Sequence, residues 1–94
     1  MTELTDTQKD QLSNEQLLGG KAQRSYDEYI QEFCEQKRLS LFDSFRNLSL
    51  TDAENLMEVK RMLFAIDALE SEILTVIETG KLASISLNKQ EVKH

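Results

Sequence analysis

Glu28 and Glu32 stand four residues apart, a spacing that places two carboxylates on one helix face and could offer oxygen ligands to a metal. A carboxylate metal site built on helices also needs partnering histidines. The sole histidine is His94, at the end of the sequence. The pair therefore reads as a solvated helix face, and no metal or cofactor is expected. Gly19-Gly20-Lys21 has the look of a phosphate loop, but that loop requires an earlier glycine where Glu15 stands and Ser or Thr where Ala22 stands. Cys34 is the single cysteine, so it has no internal disulfide partner and points to a reducing compartment. It lies on or beside an apolar helix face, where a thiol is buried and inert rather than nucleophilic. No acid, base and nucleophile converge in the sequence, and a non-enzymatic role is expected.

The elements that carry these residues are helical. Proline is absent and glycine occurs three times in 94 residues, so long uninterrupted helices are permitted. Thr51 to Gly80 reads as one amphipathic helix. Thr51-Asp52-Ala53-Glu54 fits a capping box at its start, and Gly80 fits a C-cap glycine at its end. Leu56, Val59, Leu63, Ile66, Ile73 and Ile77 follow a heptad broken once by Glu70, and Met62, Leu69 and Val76 form an adjoining row. For Glu70 the favoured reading is that the stripe drifts past it onto Leu69. The alternative is a buried carboxylate paired with Lys37 or Arg38, which would fix register.

A first long helix is predicted from about Lys21 to Arg46. Ala22, Tyr26, Tyr29 or Ile30, and Phe33 are joined by steps of three and four. The row lapses through Glu35-Gln36-Lys37-Arg38, where Lys37 can lay its stem over the seam, and resumes at Leu41, Phe42 and Phe45. Asn47 suits a helix end in the left-handed conformation, and Leu48-Ser49-Leu50 makes a turn short enough to send the next helix back antiparallel. Gly19-Gly20 should interrupt whatever begins near Ser13. The expected fold is all-α: a flexible arm over residues 1–18, a two-helix hairpin over 19–87, and a disordered tail over 88–94. Ala83, Ile85 and Leu87 alternate with serines, so residues 81–87 could form a strand or a short helical turn.

The formal net charge is −6, and residues 51–80 carry seven acids against two bases. This sign repels phosphate, so direct nucleic-acid binding is not expected. No apolar run approaches a membrane span and Met1 to Asp10 contains no secretory signal, so a cytoplasmic or virion location without membrane contact is expected. A hairpin has little interior, so part of its aromatic and aliphatic face needs a cover. The predicted interaction residues are Tyr29, Phe33 and Phe42 on the first helix, with Leu56, Val59, Leu63, Ile66, Leu69, Ile73 and Val76 on the second. The expected partner is a second copy of the chain or a larger assembly.

Gly20-Lys21-Ala22 opening the first helix, Ala65-Ile66-Asp67-Ala68-Leu69-Glu70 inside the second and Glu78-Thr79-Gly80-Lys81-Leu82-Ala83 closing it carry a resemblance over residues 19–87. The arrangement resembles small helical-hairpin proteins from the structural and assembly genes of tailed bacteriophages. That resemblance implies a non-enzymatic virion or assembly component, and assigns no functional residue. A second reading, from the acidity, is a phage-encoded inhibitor in which Asp52, Glu54, Glu58, Glu70, Glu72 and Glu78 imitate the phosphates bound by a host nucleic-acid enzyme.

Overall fold

The computed structural model describes residues 3–92, and these are all-helical outside short connections. Helix α1 spans Asp6–Ser25, a π-helical turn spans Tyr26–Ile30, α2 spans Gln31–Asn47 and α3 spans Ala53–Val92. The first three follow one another without a non-helical residue between them.

Helix α1 begins earlier than the sequence reading places it, and the arm expected to be flexible is helical from Asp6. The cause is a capping box at Thr5-Asp6-Thr7-Gln8. The Gln8 amide donates to Thr5 Oγ1 at 3.1 Å, and the Thr5 amide donates to Gln8 Oε1 at 2.8 Å. Gly19-Gly20 does not interrupt this helix, and Gly80 does not end α3. No described residue has a positive φ, so none of the glycines serves as a left-handed cap. Helix α3 runs on to Val92, which settles residues 81–87 as helix and carries helix into the predicted disordered tail.

The start of α3 also differs by one residue from expectation. Asp52, not Thr51, is the cap: its Oδ1 accepts from the Asn55 amide at 3.3 Å, its Oδ2 accepts from Asn55 Nδ2 at 2.8 Å, and its carbonyl accepts the first α3 bond, from Leu56. Thr51 instead hydrogen-bonds Ser49 through the two hydroxyls at 2.9 Å. Helix α2 ends at Asn47 as expected. Leu48 leaves it in an extended conformation at φ −75°, ψ 144°, and no left-handed residue is involved.

The chain divides into two compact units, one of α1 with α3 from Ile73 onward, the other Tyr26–Glu72. In the first unit the enclosed positions of α1 are Leu12, Glu15, Gly19, Ala22 and Gln23, and those of α3 are Ile73, Ile77, Thr79, Gly80, Ala83, Ser84 and Leu87. Leu12, Glu15, Gly19 and Ala22 advance by three and four residues, as do Ile73, Ile77, Gly80, Ser84 and Leu87, and Thr79 and Ala83 widen the inward face of α3 beside Gly80. Its tightest point is Gly19 against Gly80. A Cβ on Gly19 would stand 2.7 Å from the Gly80 Cα and 3.1 Å from the Val76 carbonyl oxygen. The glycines let two backbones meet where a side chain would hold them apart. Gly20, one position on, has open space around it.

In the second unit the enclosed positions are Tyr26, Ile30, Cys34, Arg38, Leu41 and Leu48, facing a series on α3 of Leu56, Val59, Leu63, Ile66 and Glu70. The first list opens with steps of four: 26, 30, 34, 38. A π turn holds one residue more than an α turn, and the extra residue delays the inward position by one. Ile30 and Cys34 are enclosed as a result, while Tyr29 and Phe33 turn outward, 71% and 57% exposed. Lys37 is exposed and Arg38 takes the inner place expected for it.

Candidate functional site

Side chains of opposite charge meet across elements in a small polar cluster in the second unit. Arg38 on α2 donates through Nε to Asp67 Oδ1 at 2.9 Å and through Nη2 to Glu70 Oε1 at 2.5 Å. The Tyr26 hydroxyl, from the π turn, donates to the other oxygen of Glu70 at 3.2 Å. Glu70 is thus held from two elements and is only 16% exposed, while Asp67 remains open at 61%. The favoured sequence reading of Glu70 as a stripe that drifts by is corrected. The less favoured one holds, with Arg38 as the partner and Lys37 outside.

The local sequence explains the geometry. Asp67 and Glu70 are three apart, so they share one edge of α3 and present two acceptors to one guanidinium fork. The heptad break at Glu70 falls where the opposing helix offers Arg38 in place of an apolar side chain. Charge-assisted hydrogen bonds from Glu70 first, and then Asp67, hold the guanidinium protonated even more firmly than usual. Burial raises the Tyr26 phenol above its ordinary value, and its hydrogen bond to the Glu70 carboxylate adds to that. Burial also raises the Cys34 thiol, reinforced by the charges of Glu70 and Asp67 and opposed by Arg38. Cys34 is 0% exposed. A buried thiol held in its neutral form beside two carboxylates is a poor nucleophile. The cluster joins α2 and the π turn to α3.

The predicted interaction residues fall into two groups. Val59 is buried and Leu56, Leu63, Ile66 and Ile73 are half-buried, so this part of the α3 stripe is engaged within the chain. Tyr29, Phe33, Phe42, Leu69 and Val76 are exposed. Phe45 and Phe64 are exposed too, so no phenylalanine is buried, and Lys60 Nζ stands 5.8 Å from the Phe64 ring centre. In the first unit Leu18, Val76, Thr75, Thr79 and Glu15 line a shallow apolar groove of about 170 Å³. Sequence reasoning missed Leu17, Leu18, Leu82 and Ile85 as exposed apolar positions. The signal was present in the i, i+3 spacing of Leu82 and Ile85, but it required α3 to pass through Gly80.

Several other residues are spoken for. Glu58 pairs with Arg61 at 3.1 Å, and Asp52 is occupied as a cap. Glu28 and Glu32 are exposed, and no group of three or more His, Cys, Asp or Glu among the described residues is placed to hold a metal. His94 lies outside the described residues. Among the described residues no helix is long and apolar enough to cross a membrane. Comparisons with protein-family models, with curated proteins and with solved structures found no match.

Proposed function

We propose that this chain is a non-enzymatic protein–protein interaction module: an antiparallel helical hairpin that self-associates or docks on a larger protein assembly. The observation that carries the reading is the exposure of every phenylalanine and of Tyr29, together with Leu69 and Val76, on a chain whose buried apolar residues, among those described, are Cys34, Leu41, Val59, Ile77 and Ala83. Aromatic and aliphatic side chains left in water at this density mark an association surface. The connection over residues 48–52 and the ties from Arg38 to Asp67 and Glu70 support the antiparallel hairpin. The negative net charge favours a protein partner over nucleic acid. A place in a phage virion, or in its assembly in the host cytoplasm, is the further part of the proposal and rests on the sequence resemblance over residues 19–87.

Sedimentation velocity over a range of concentrations tests the module. An oligomer that weakens with Phe33→Ser or Leu69→Gln is the expected result. A monomer at every concentration, with no binding of an apolar dye and no retention on assembly proteins of the same source, would overturn it.

A further inference from the structure

The stretch from Tyr26 to Leu41 carries two apolar series, not one. Read with an ordinary α repeat, Tyr26 is followed inward by Tyr29 and Phe33. Read with the π turn at Tyr26–Ile30, it is followed by Ile30 and Cys34. The second series is the one enclosed, and the first stands in water. Both series can rejoin the same inward positions at Arg38 and Leu41. In one case the extra residue is absorbed before Ile30, and in the other it is absorbed between Phe33 and Arg38. The latter segment, Glu35-Gln36-Lys37, is polar and exposed, with no inward side chain to lose.

We propose that the π turn is a two-position element that moves between Tyr26–Ile30 and the 33–38 segment and exchanges Ile30 and Cys34 for Tyr29 and Phe33 on the inward face. A π turn moves by passing its misaligned hydrogen bond along the helix, so helix content and the contacts of Arg38 and Leu41 are kept. The segment between the two positions rotates by about 100°, one residue of an α-helix. The hydrogen bond from the Tyr26 hydroxyl to Glu70 is kept in both positions, because Tyr26 leads both series and lies before the segment that rotates. The device places Cys34 inside in one state and outside in the other. It also sets whether Phe33 is available at the surface. It stands independently of the association reading, since every residue it uses lies within one unit of a single chain.

Two single-residue deletions isolate the two states. Removing Glu28 takes the extra residue out before Ile30, so an ordinary α-helix keeps Ile30 and Cys34 inward and cannot shift. Removing Glu35 takes it out after Phe33, so an ordinary α-helix places Tyr29 and Phe33 inward and turns Cys34 out. The reaction of the Cys34 thiol with a disulfide reagent, followed in native buffer beside far-UV circular dichroism, reports both. The expected result is two folded helical proteins, with the thiol protected when Glu28 is removed and freely reactive when Glu35 is removed. In the full-length chain the thiol is expected to react at a rate between the two, because only that chain can move the turn. The proposal is overturned if the chain lacking Glu35 does not fold or keeps its thiol protected. It is equally overturned if the full-length thiol reacts no faster than in the chain lacking Glu28, which would mark simple local unfolding.

Discussion

Gly19 and Gly20 are neighbours with opposite consequences for an added methyl group. At Gly19 a Cβ would meet backbone of the Gly80 segment at 2.7 Å, and backbone cannot step aside as a side chain can. Gly19→Ala and Gly80→Ala are therefore expected to destabilise by about 1–3 kcal/mol in urea unfolding, the usual cost of overpacking, despite the better helix propensity of alanine. Gly20→Ala meets nothing and should stabilise by about 1 kcal/mol. The ionisable residues predict a pH dependence. The Cys34 thiol and the Tyr26 phenol are held above their ordinary values of 9.0 and 10.0. In the unfolded chain both lose their protons at those ordinary values. Above them the folded chain binds more protons than the unfolded one, so stability is intact below 9.0 and falls as pH rises toward the raised values. Urea midpoints across alkaline buffers should show that fall. Cys34→Ala should flatten the part that begins near 9.0, and Tyr26→Phe the part that begins near 10.0.

At the scale of the element, the ends and the phase of each helix are set by different forces. Ends are set locally. Asp52 satisfies an otherwise unpaired amide at the start of α3, so Asp52→Ala should cost about 1 kcal/mol. Thr51→Ala should cost less, because the Thr51 hydroxyl bonds within the turn to Ser49. The two unfolding midpoints compared directly check this, and the reverse order would restore Thr51 as the cap. Phase is set by what lies opposite. Helix α3 keeps a 3.5-residue repeat from Leu56 to Ile77, and the polar position within it, Glu70, is matched by Arg38 and by the first residue of the π turn. A carboxylate among apolar side chains is costly unless each oxygen is paired, and here each oxygen has its own donor. That pairing gives the π turn a fixed point on α3.

For the whole molecule, the balance of covered and uncovered apolar residues sets behaviour. Adjacent residues show the contrast. Leu41 is buried and Phe42 exposed, so Leu41→Ala should lose about 2 kcal/mol or more of stability. Phe42→Ala should fall within about 0.5 kcal/mol of the parent, as exposed substitutions do. If Phe42→Ala also lowers the sedimentation coefficient of the oligomer, the exposed rings serve association and not the fold. Thermal unfolding beside sedimentation separates the two. The formal net charge of −6 sets mutual repulsion between copies against the attraction of the uncovered apolar surface.

The sequence alone was enough to determine that the chain is helical, that it turns after Asn47, and that Leu56, Val59, Leu63, Ile66, Ile73 and Ile77 share one face of α3. Each follows from short-range spacing, which a helix turns directly into a face. The tertiary structure decided what spacing leaves open. Glycine in sequence reads as a break, but Gly19 and Gly80 sit within helices because each needs the other's missing side chain. Glu70 reads as an interruption until Arg38 and Tyr26 supply its donors. Tyr29 and Phe33 compete with Ile30 and Cys34 for the same face, and one extra residue in one turn settles the choice. A helix defines its own faces from neighbours three and four apart, but which face is inside depends on partners far along the chain.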